Sequence, residues 1–408
     1  GITAVIQSSS ATTVMVVGFV NSGVMTLGQA VGVIMGANLG TSVTSWLLSL
    51  TSLQSDNVFL SLLKPESFTP VLALIGVILY MFVKDRKKKD IGLILLGFSV
   101  LMFGMEMMAG SVEPLKDNEA FVRVLTVFEQ PILGVIAGTV VTAIVQSSSA
   151  SVGILQALTF TGSISNGTAI PIIMGQNIGT CVSALISSIG ANKNAKRAAF
   201  IHLYFNVIAA SVLLIIFYCV KAFLPSEILA QPATALSIAV IHTVFKLIAL
   251  AMLMPFTNQL EKLACLTVRD SEEKEKDELL DERLLITPPV AIQRSKDVEK
   301  QMAVEAGDTL YAAFDMIHGG YTQAAGQKVR EGEARGDMYE DKLGTYLVKI
   351  SGCSLSDHDS LEVSKLLHII GDLERLSDHA VNIAESMEEM HDKELHFSDT
   401  AKKELETI

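Results

Sequence analysis

The sequence has few charged residues for its length. Only 18% of its 408 residues are Asp, Glu, Lys or Arg, whereas 50% are hydrophobic. An ordinary soluble domain has about 25% charged residues. The composition therefore argues against a protein that is water-soluble throughout.

Cysteine is also scarce. The four cysteines, Cys181, Cys219, Cys265 and Cys353, show neither CxxC nor Cys/His spacing. This pattern argues against a structural zinc site and against a disulfide scaffold. The basic start of a secretory signal peptide is missing as well, since the sequence opens with Gly1 and an apolar run.

Charge is distributed unevenly along the chain. Residues 1–260 carry 13 Lys/Arg and 10 Asp/Glu, a net of +3, and residues 261–408 carry 18 and 33, a net of −15, which together give the total of −12. The pattern predicts a transmembrane domain at 1–260, an acidic linker at 261–293 and a soluble bundle at 294–408. Because the acidic half lacks a Lys/Arg stripe and would repel phosphate backbones, we expect no nucleic-acid partner.

The first 260 residues contain apolar stretches of the kind that cross a bilayer, which requires about 20 mainly apolar residues. Positive charge is concentrated in three of the breaks, at 84–89, 193–197 and 262–269. The positive-inside rule places these breaks, and the acidic half that follows them, in the cytoplasm. The candidate spans are 27–50, 68–83, 91–112, 131–160, 167–190, 198–222 and 235–256.

One unit of the sequence occurs twice. Thr3–Ala11 (TAVIQSSSA) recurs 139 residues later as Thr142–Ala150 (TAIVQSSSA). At the same separation, Ile34–Thr41 (IMGANLGT) matches Ile173–Thr180 (IMGQNIGT). Two motifs in one register indicate a duplication.

The copies are predicted to cover about 1–90 and about 91–260. We expect the first copy to lack about one span, because 91–138 has no counterpart before Gly1. The segment after residue 112 is predicted to lie outside and the next basic cluster inside. The chain must therefore cross the membrane an odd number of times between them. The stretch 131–160 is therefore predicted to be a re-entrant hairpin, broken at its Gln-Ser-Ser-Ser motif.

The same parity argument gives the two copies opposite orientations. It places the turn at Gly23 inside the cell and the matching turn at Gly162 outside. Inverted repeats that enclose a binding site near the midplane are typical of secondary transporters. The expected fold is all-α: a polytopic membrane transporter with two inverted repeats containing re-entrant hairpins, followed by a cytoplasmic helical bundle.

Each Gln-Ser-Ser-Ser motif puts three hydroxyls and one amide where unpartnered polar groups are costly. Hydroxyl, amide and carbonyl oxygens suit an alkali cation, and the N-termini of broken helices suit an anion. Packing of small residues between helices is the alternative, which the pairing of the motifs disfavours. The candidate ligands are Gln7, Ser8, Ser9, Ser10, Asn38, Thr41, Gln146, Ser147, Ser148, Ser149, Asn177 and Thr180.

Other polar residues lie within the apolar stretches. His202 with Asn206, and His242 with Lys246, share one four-residue spacing in successive spans. Intramembrane His and Lys residues are candidates for a functional role. Alternatively, and with equal weight, these residues form hydrogen bonds to a neighbouring helix. Glu106 is either a coupling carboxylate or an interfacial charge, and the interfacial position is favoured.

The paired Gln-Ser-Ser-Ser motifs, each followed by Asn-x-Gly-Thr, resemble the sodium/phosphate cotransporter family, meaning the type II family and its bacterial relatives. The resemblance covers about residues 1–260. It implies Na⁺-driven uptake or efflux of inorganic phosphate across the cytoplasmic membrane, with Gln7–Ser10 and Gln146–Ser149 contacting Na⁺ and phosphate.

The acidic half is predicted to form amphipathic helices at 294–319, 322–351 and 357–391, which would pack as a bundle. Residues 372–385 (DLERLSDHAVNIAE) resemble the signature of PhoU-like domains. We expect a further bundle to be missing after Ile408.

Two acidic pairs of this half, Asp337 with Asp341 and Glu374 with Asp378, each lie four residues apart on one helix face. PhoU-like domains bind metal at such pairs, which implies a divalent or iron metal. A solvated acidic face without metal is the alternative.

The leading hypothesis is a Na⁺-coupled phosphate transporter, not an enzyme, regulated by its cytoplasmic bundle. A phosphate-sensing membrane scaffold is one alternative. An intramembrane serine hydrolase is another, which the duplication disfavours because one nucleophile needs one copy. The expected partners are phosphate and the lipid bilayer, and the sequence leaves open whether the protein is a homodimer.

Overall fold

A computed structural model describes residues 1–50, 65–128, 130–221, 226–269 and 280–405. The chain forms two compact units, Gly1–Glu275 and Lys276–Ile408. Regular structure in the described residues is helical, apart from one isolated bridge between Ser165 and Pro232. The expected all-α fold is confirmed.

Two predicted connections fall largely outside the described residues. They are the connection between the candidate spans 27–50 and 68–83, of which 51–64 are not described, and the acidic linker, of which 270–279 are not described.

The first unit is a set of apolar helices, several of which are interrupted. In chain order its α-helices are α1 (Ile2–Ile6), α2 (Ser9–Asn21), α3 (Leu27–Gly40), α4 (Ser42–Ser49), α5 (Pro65–Phe82), α6 (Arg86–Val112), α7 (Glu119–Val127), α8 (Pro131–Val145), α9 (Ser148–Leu158), α10 (Asn166–Gly179), α11 (Cys181–Ser187), α12 (Lys193–Lys221), α13 (Ser226–Ala230), α14 (Ala235–Leu253) and α15 (Thr257–Thr267).

Five helical segments among the described residues are long and apolar enough to cross a membrane. They are Leu27–Ser49, Arg86–Leu115, Asn166–Ser187, Lys193–Cys219 and Ala235–Thr267. Each overlaps one of the predicted spans. The predicted spans at 68–83 and 131–160 correspond to the shorter apolar helices α5, α8 and α9.

The largest apolar core of this unit lies where α3, α12 and α14 meet. Ile34 and Met35 from α3 pack there with Phe205 from α12 and Phe245 from α14. Lipid tails are as apolar as these side chains, so close packing, more than removal from water, stabilises such contacts in a membrane.

Glycines bring the backbones of α8 and α10 together. A Cβ added at Gly138 would overlap the carbonyl oxygen of Ile172, and a Cβ added at Gly175 would overlap the carbonyl oxygen of Val135. Only residues without a side chain permit this approach of one backbone to the other. The hairpin formed by α8 and α9 is therefore fixed against the long segment that begins with α10.

The second unit contains three long helices, α16 (Pro288–Gly319), α17 (Gln323–Ser351) and α18 (Asp357–Asp392), and the short α19 (Asp399–Leu405). The long helices pack on one another in all three pairs, as the amphipathic pattern predicts. Thr322 and Ser356 cap the starts of α17 and α18 through their side-chain oxygens.

The linker predicted at 261–293 needs correction at both ends. Residues 257–267 form α15, which packs against α12 and α3 of the first unit. From Asp281 the chain already packs on the bundle, because the Tyr346 hydroxyl donates a hydrogen bond to the Asp281 carbonyl oxygen at 2.7 Å. The high density of charge in this region hid two short apolar stretches that pack against helices.

Candidate functional site

Both Gln-Ser-Ser-Ser motifs interrupt a helix in the same way. Gln7 and Gln146 adopt the left-handed conformation, with φ of 59° and 54°, and end α1 and α8. The next serine, Ser8 or Ser147, caps the following helix by accepting from the amide of Ala11 at 3.1 Å or of Ala150 at 3.2 Å. The interruption predicted at 146–149 is present, and residues 7–10 form a matching one.

The tips of the two hairpins, formed by α1 with α2 and by α8 with α9, meet. The Oγ atoms of Ser9 and Ser148 lie 3.0 Å apart, although the two residues are 139 positions apart in the chain. Both side chains are buried. In addition, the Ser10 hydroxyl donates to the carbonyl oxygen of Gln146 at 3.3 Å. The structure thus brings the two copies of the motif into direct contact.

This contact concentrates two kinds of binding group. The helices α2 and α9 begin at Ser9 and Ser148, so their unpaired backbone amides and positive dipole ends lie beside the meeting point. Serine hydroxyls and the Gln146 carbonyl supply neutral oxygens. Amides favour an anion and neutral oxygens favour an alkali cation.

Equivalent hydrogen bonds hold each hairpin closed. The Oγ1 atoms of Thr3 and Thr12 lie 3.2 Å apart, and Thr142 Oγ1 and Ser151 Oγ lie 2.6 Å apart. These pairs occupy matching positions in the two copies, since each residue of the second pair follows its counterpart by 139 positions. The duplication seen in the sequence therefore extends to the geometry of the hairpins.

The two glutamines differ in their surroundings. Gln7 is partly buried, and its Oε1 accepts a hydrogen bond from the Thr44 hydroxyl at 2.6 Å. Gln146 is exposed, and the matching residue of Thr44 in the second copy is Ser183, whose buried Oγ has no partner among the described residues. The Gln7 contact thus has no equivalent in the second copy.

The four predicted ligands outside the tips are all buried, but they bond elsewhere. Asn38 Nδ2 donates to Asn206 Oδ1 at 2.6 Å, and Asn177 Nδ2 donates to the Ile173 carbonyl at 2.8 Å. The hydroxyls of Thr41 and Thr180 bond to carbonyls of their own helices. Within the described residues no hydrogen bond joins these four side chains to the tip serines.

Sequence reasoning missed several buried oxygens near the hairpins. The Oε1 atoms of Gln156 and Gln176 have no partner among the described residues. The same is true of the hydroxyl groups of Ser42 and Ser45. The amide nitrogen of Gln156 is held by the carbonyls of Ser45 and Ala235 at 3.0 and 2.9 Å. For both glutamines, the sequence signal that could have revealed them is a lone Gln within an apolar helix.

Three carboxylates of the second unit also come together. Atoms of Glu333, Asp337 and Asp378 lie within 4.8 Å of one another, on α17 and α18. Burial, and then the charges of Asp337 and Asp378, raise the pKa of Glu333. Burial, and then the charge of Asp378, raise the pKa of Glu374. Carboxylate oxygens without a balancing cation suit a hard divalent metal.

This cluster shares only Asp337 and Asp378 with the four predicted ligands, and the predicted Glu374 lies outside it. Asp341 does not belong to it, whereas Glu333, one turn before Asp337, does. The residues Glu333, Asp337 and Asp341 follow one another at four-residue spacing on α17, and Asp378 of the facing helix lies close to the first two of them. The packing of the two helices decides which carboxylates of α17 lie close to Asp378. Sequence spacing alone does not determine that packing.

Comparison with protein families gives two matches. The family described as Na⁺/Pi-cotransporter matches residues 1–110 and 100–255, which together cover more than half of the chain. The PhoU domain matches residues 300–387. The first match contains both hairpins and the second contains the acidic cluster.

Individual bacterial proteins are also similar to this chain. An uncharacterized protein of Bacillus subtilis, YqeW, is 28% identical over 269 residues, covering 65% of this chain and 81% of its own length. The putative inorganic phosphate export protein YjbB of Salmonella typhimurium is 27% identical over 428 aligned positions, covering 100% of this chain and 73% of its own length.

A mammalian relative matches over a shorter stretch. Sodium-dependent phosphate transport protein 2A of Rattus norvegicus is 35% identical over 123 residues, covering 28% of this chain and 18% of its own length. No solved structure matches the chain.

Proposed function

The chain belongs to the Na⁺/Pi-cotransporter family, and from this we propose that it moves inorganic phosphate across the membrane together with Na⁺, at a site formed by its two hairpin tips. Membership identifies a membrane protein of a phosphate-transport family rather than an enzyme, so the serine hydrolase hypothesis is set aside. Na⁺ coupling and the site residues are the proposed parts.

The observation that carries the proposal is the contact between Ser9 and Ser148. Two polar loops meet inside an apolar helical unit, and each presents a helix N-terminus. Phosphate carries negative charge and would be stabilised by amides and dipole ends, whereas Na⁺ would be bound by the neutral oxygens. Bringing the two ions together lowers the charge that must enter a low-dielectric interior.

We propose further that the two copies are inverted in the membrane. Binding at a contact between inverted repeats permits alternating access, because rocking one repeat against the other opens the site to either side. In this arrangement the positively charged breaks and the PhoU domain lie in the cytoplasm.

The PhoU domain is proposed to regulate transport. Glu333, Asp337 and Asp378 would hold a divalent or iron metal there, with Glu374 beside them. Because the pKa values of Glu333 and Glu374 are raised, protons compete with the metal at higher pH than they would at isolated carboxylates. As the pH is lowered, the metal affinity of the full chain is therefore expected to fall at a higher pH than that of an ordinary carboxylate site.

The experiment that tests the proposed function is phosphate flux in proteoliposomes. We expect labelled phosphate to accumulate when a Na⁺ gradient is imposed and not when K⁺ replaces Na⁺. Flux is measured in both directions, since the Salmonella relative is named as an exporter. Equal flux in Na⁺ and K⁺ would contradict Na⁺ coupling, and no flux in either would contradict transport.

The site itself is tested by Ser9→Ala and Ser148→Ala. Each removes one hydroxyl of the contact, and we expect Na⁺-dependent flux to fall by about tenfold or more, the effect of losing one ion-binding hydrogen bond. Ser111→Ala is the matched control, because among the described residues Ser111 bonds only within its own apolar helix, to the Met107 carbonyl. Wild-type rates in both site variants would remove the assignment.

A further inference from the structure

A buried lysine lies in the first unit, outside the two Gln-Ser-Ser-Ser motifs. Lys246 on α14 is 2% exposed, and its side chain forms no hydrogen bond and no ion pair with any described residue. A buried charge without a partner is strongly destabilising. Inside a membrane such a residue marks a functional site by default.

Two histidines lie beside this lysine. His242 precedes Lys246 by one turn of α14, and His202 comes from α12; they are 1% and 4% exposed. His242 and Lys246 share one face of α14, α12 packs on α14, and the charge of Lys246 acts on both imidazoles. The Nδ1 atoms of both rings have no partner among the described residues. Two buried imidazole nitrogens beside a buried lysine thus have no partner among the described residues.

The described helices around this cluster contain no carboxylate that could balance a positive charge there. The helices that pack most closely on α14 are α3, α4, α9, α10 and α12. None of these helices, nor α14 itself, contains an Asp or Glu. A negatively charged group from outside these helices would balance the ammonium form of Lys246.

The cluster is connected to the elements that form the hairpin site. One turn after His202, Asn206 accepts the 2.6 Å hydrogen bond from Asn38. Between His242 and Lys246, Thr243 accepts a hydrogen bond from the Trp46 indole at 2.9 Å, and Trp46 shares α4 with Thr44, the partner of Gln7. Both helices that supply the cluster thus contact the helices behind the first hairpin.

We propose that Lys246, His202 and His242 form a second anion-binding site in the membrane unit, which takes a small oxyanion such as phosphate. An ammonium and ring N–H groups would donate to the oxyanion oxygens, as charge-assisted hydrogen bonds require. The proposal rests on the proposed function in one respect: phosphate is the anion that this unit is expected to carry. It adds a binding site that the serine motifs do not include.

The test measures phosphate binding to the full chain in detergent at saturating Na⁺, by calorimetry and by the shift in melting temperature. We expect Lys246→Met to raise the half-saturating phosphate concentration about tenfold or more, since a charged hydrogen bond is lost. Lys246→Arg keeps the charge and should bind better than Lys246→Met. Lys262→Met on the exposed surface of α15 is the control and should bind like the wild type.

A second readout separates binding from a structural role. Removing an unpaired buried charge is neutral or stabilising, so phosphate-free Lys246→Met should melt no lower than the wild type while its phosphate-induced shift shrinks to the part that the hairpin site contributes. A lower melting temperature with an unchanged phosphate affinity would overturn the proposal. Should Lys246→Met not be recovered, His242→Gln retains the ammonium, and an unchanged half-saturation in that variant would overturn the proposal as well.

The two proposals can fail separately. Wild-type protein that binds phosphate through Lys246 but shows no flux would contradict the proposed transport and leave the anion site standing. Na⁺-driven flux with identical phosphate dependence in wild type and Lys246→Met would remove the anion site and leave transport standing.

Discussion

Single residues decide how the hairpins are built. A left-handed Gln ends one helix, and the serine after it caps the next, in both copies. A non-glycine residue in this conformation is uncommon, and its occurrence at two matching positions supports a functional role for the turn. Of the two glutamines, only Gln7 has its carbonyl oxygen bonded to the neighbouring threonine.

A residue-scale prediction concerns the acid stability of the second unit. Hydrogen bonds from Lys296 and Lys365 lower the pKa of Glu362 from 4.5 to about 2. Glu362 therefore stabilises the folded bundle above its ordinary pKa, and this contribution is lost as the pH falls from 4.5 through about 2.

The measurement is hydrogen exchange in α18 of the full chain across this pH range, corrected for the intrinsic exchange rate. We expect protection of α18 to decrease with falling pH in the wild type and to depend less on pH in Glu362→Gln. Glu385→Gln is the control, because no lysine among the described residues pairs with Glu385. Parallel profiles for the wild type and Glu362→Gln would contradict the prediction.

At the scale of helices, close backbone approach holds the second hairpin in place. A Cβ at Gly175 would overlap the Val135 carbonyl oxygen, whereas a Cβ at Gly36, the matching residue of the first copy, would meet open space. Gly36 is therefore a matched control position for a substitution at Gly175.

We expect Gly175→Ala to destabilise the protein by about 1–3 kcal/mol, the usual cost of overpacking. Gly36→Ala should leave stability unchanged or raise it by up to about 1 kcal/mol, because Ala favours the helix. Thermal unfolding in detergent measures both. Equal effects of the two substitutions would show that the packing of α8 on α10 differs from that described.

How much of the fold could be predicted differs from element to element. The break in 131–160 was predictable, because four polar residues interrupt an apolar run. The breaks at Thr41 and Thr180 within 27–50 and 167–190 were not, since neither follows a proline and both residues keep nearly helical dihedrals. The pairing of Asn38 with Asn206, which lie 168 residues apart, depends on tertiary packing.

The whole molecule combines a membrane unit of a phosphate-transport family with a PhoU domain. Its inverted arrangement in the membrane stays a prediction, which the turns at Gly23 and Gly162 can test. Both are glycines with positive φ at the ends of the two hairpins. With single cysteines at these positions in a chain without other cysteines, an impermeant thiol reagent should label Gly162→Cys from outside and Gly23→Cys only after permeabilisation. Labelling of both from one side would refute inversion.

The central claim is that the two hairpin tips form one transport site at the contact of Ser9 with Ser148. The most direct test is a Ser9→Cys, Ser148→Cys double variant in the same cysteine-free background, in which Na⁺-driven phosphate flux is measured before and after mild oxidation. We predict that a cross-link forms, that flux stops, and that a reductant restores it, with neither single variant responding to oxidation. A cross-linked protein that carries phosphate at the rate of its reduced form would contradict the claim.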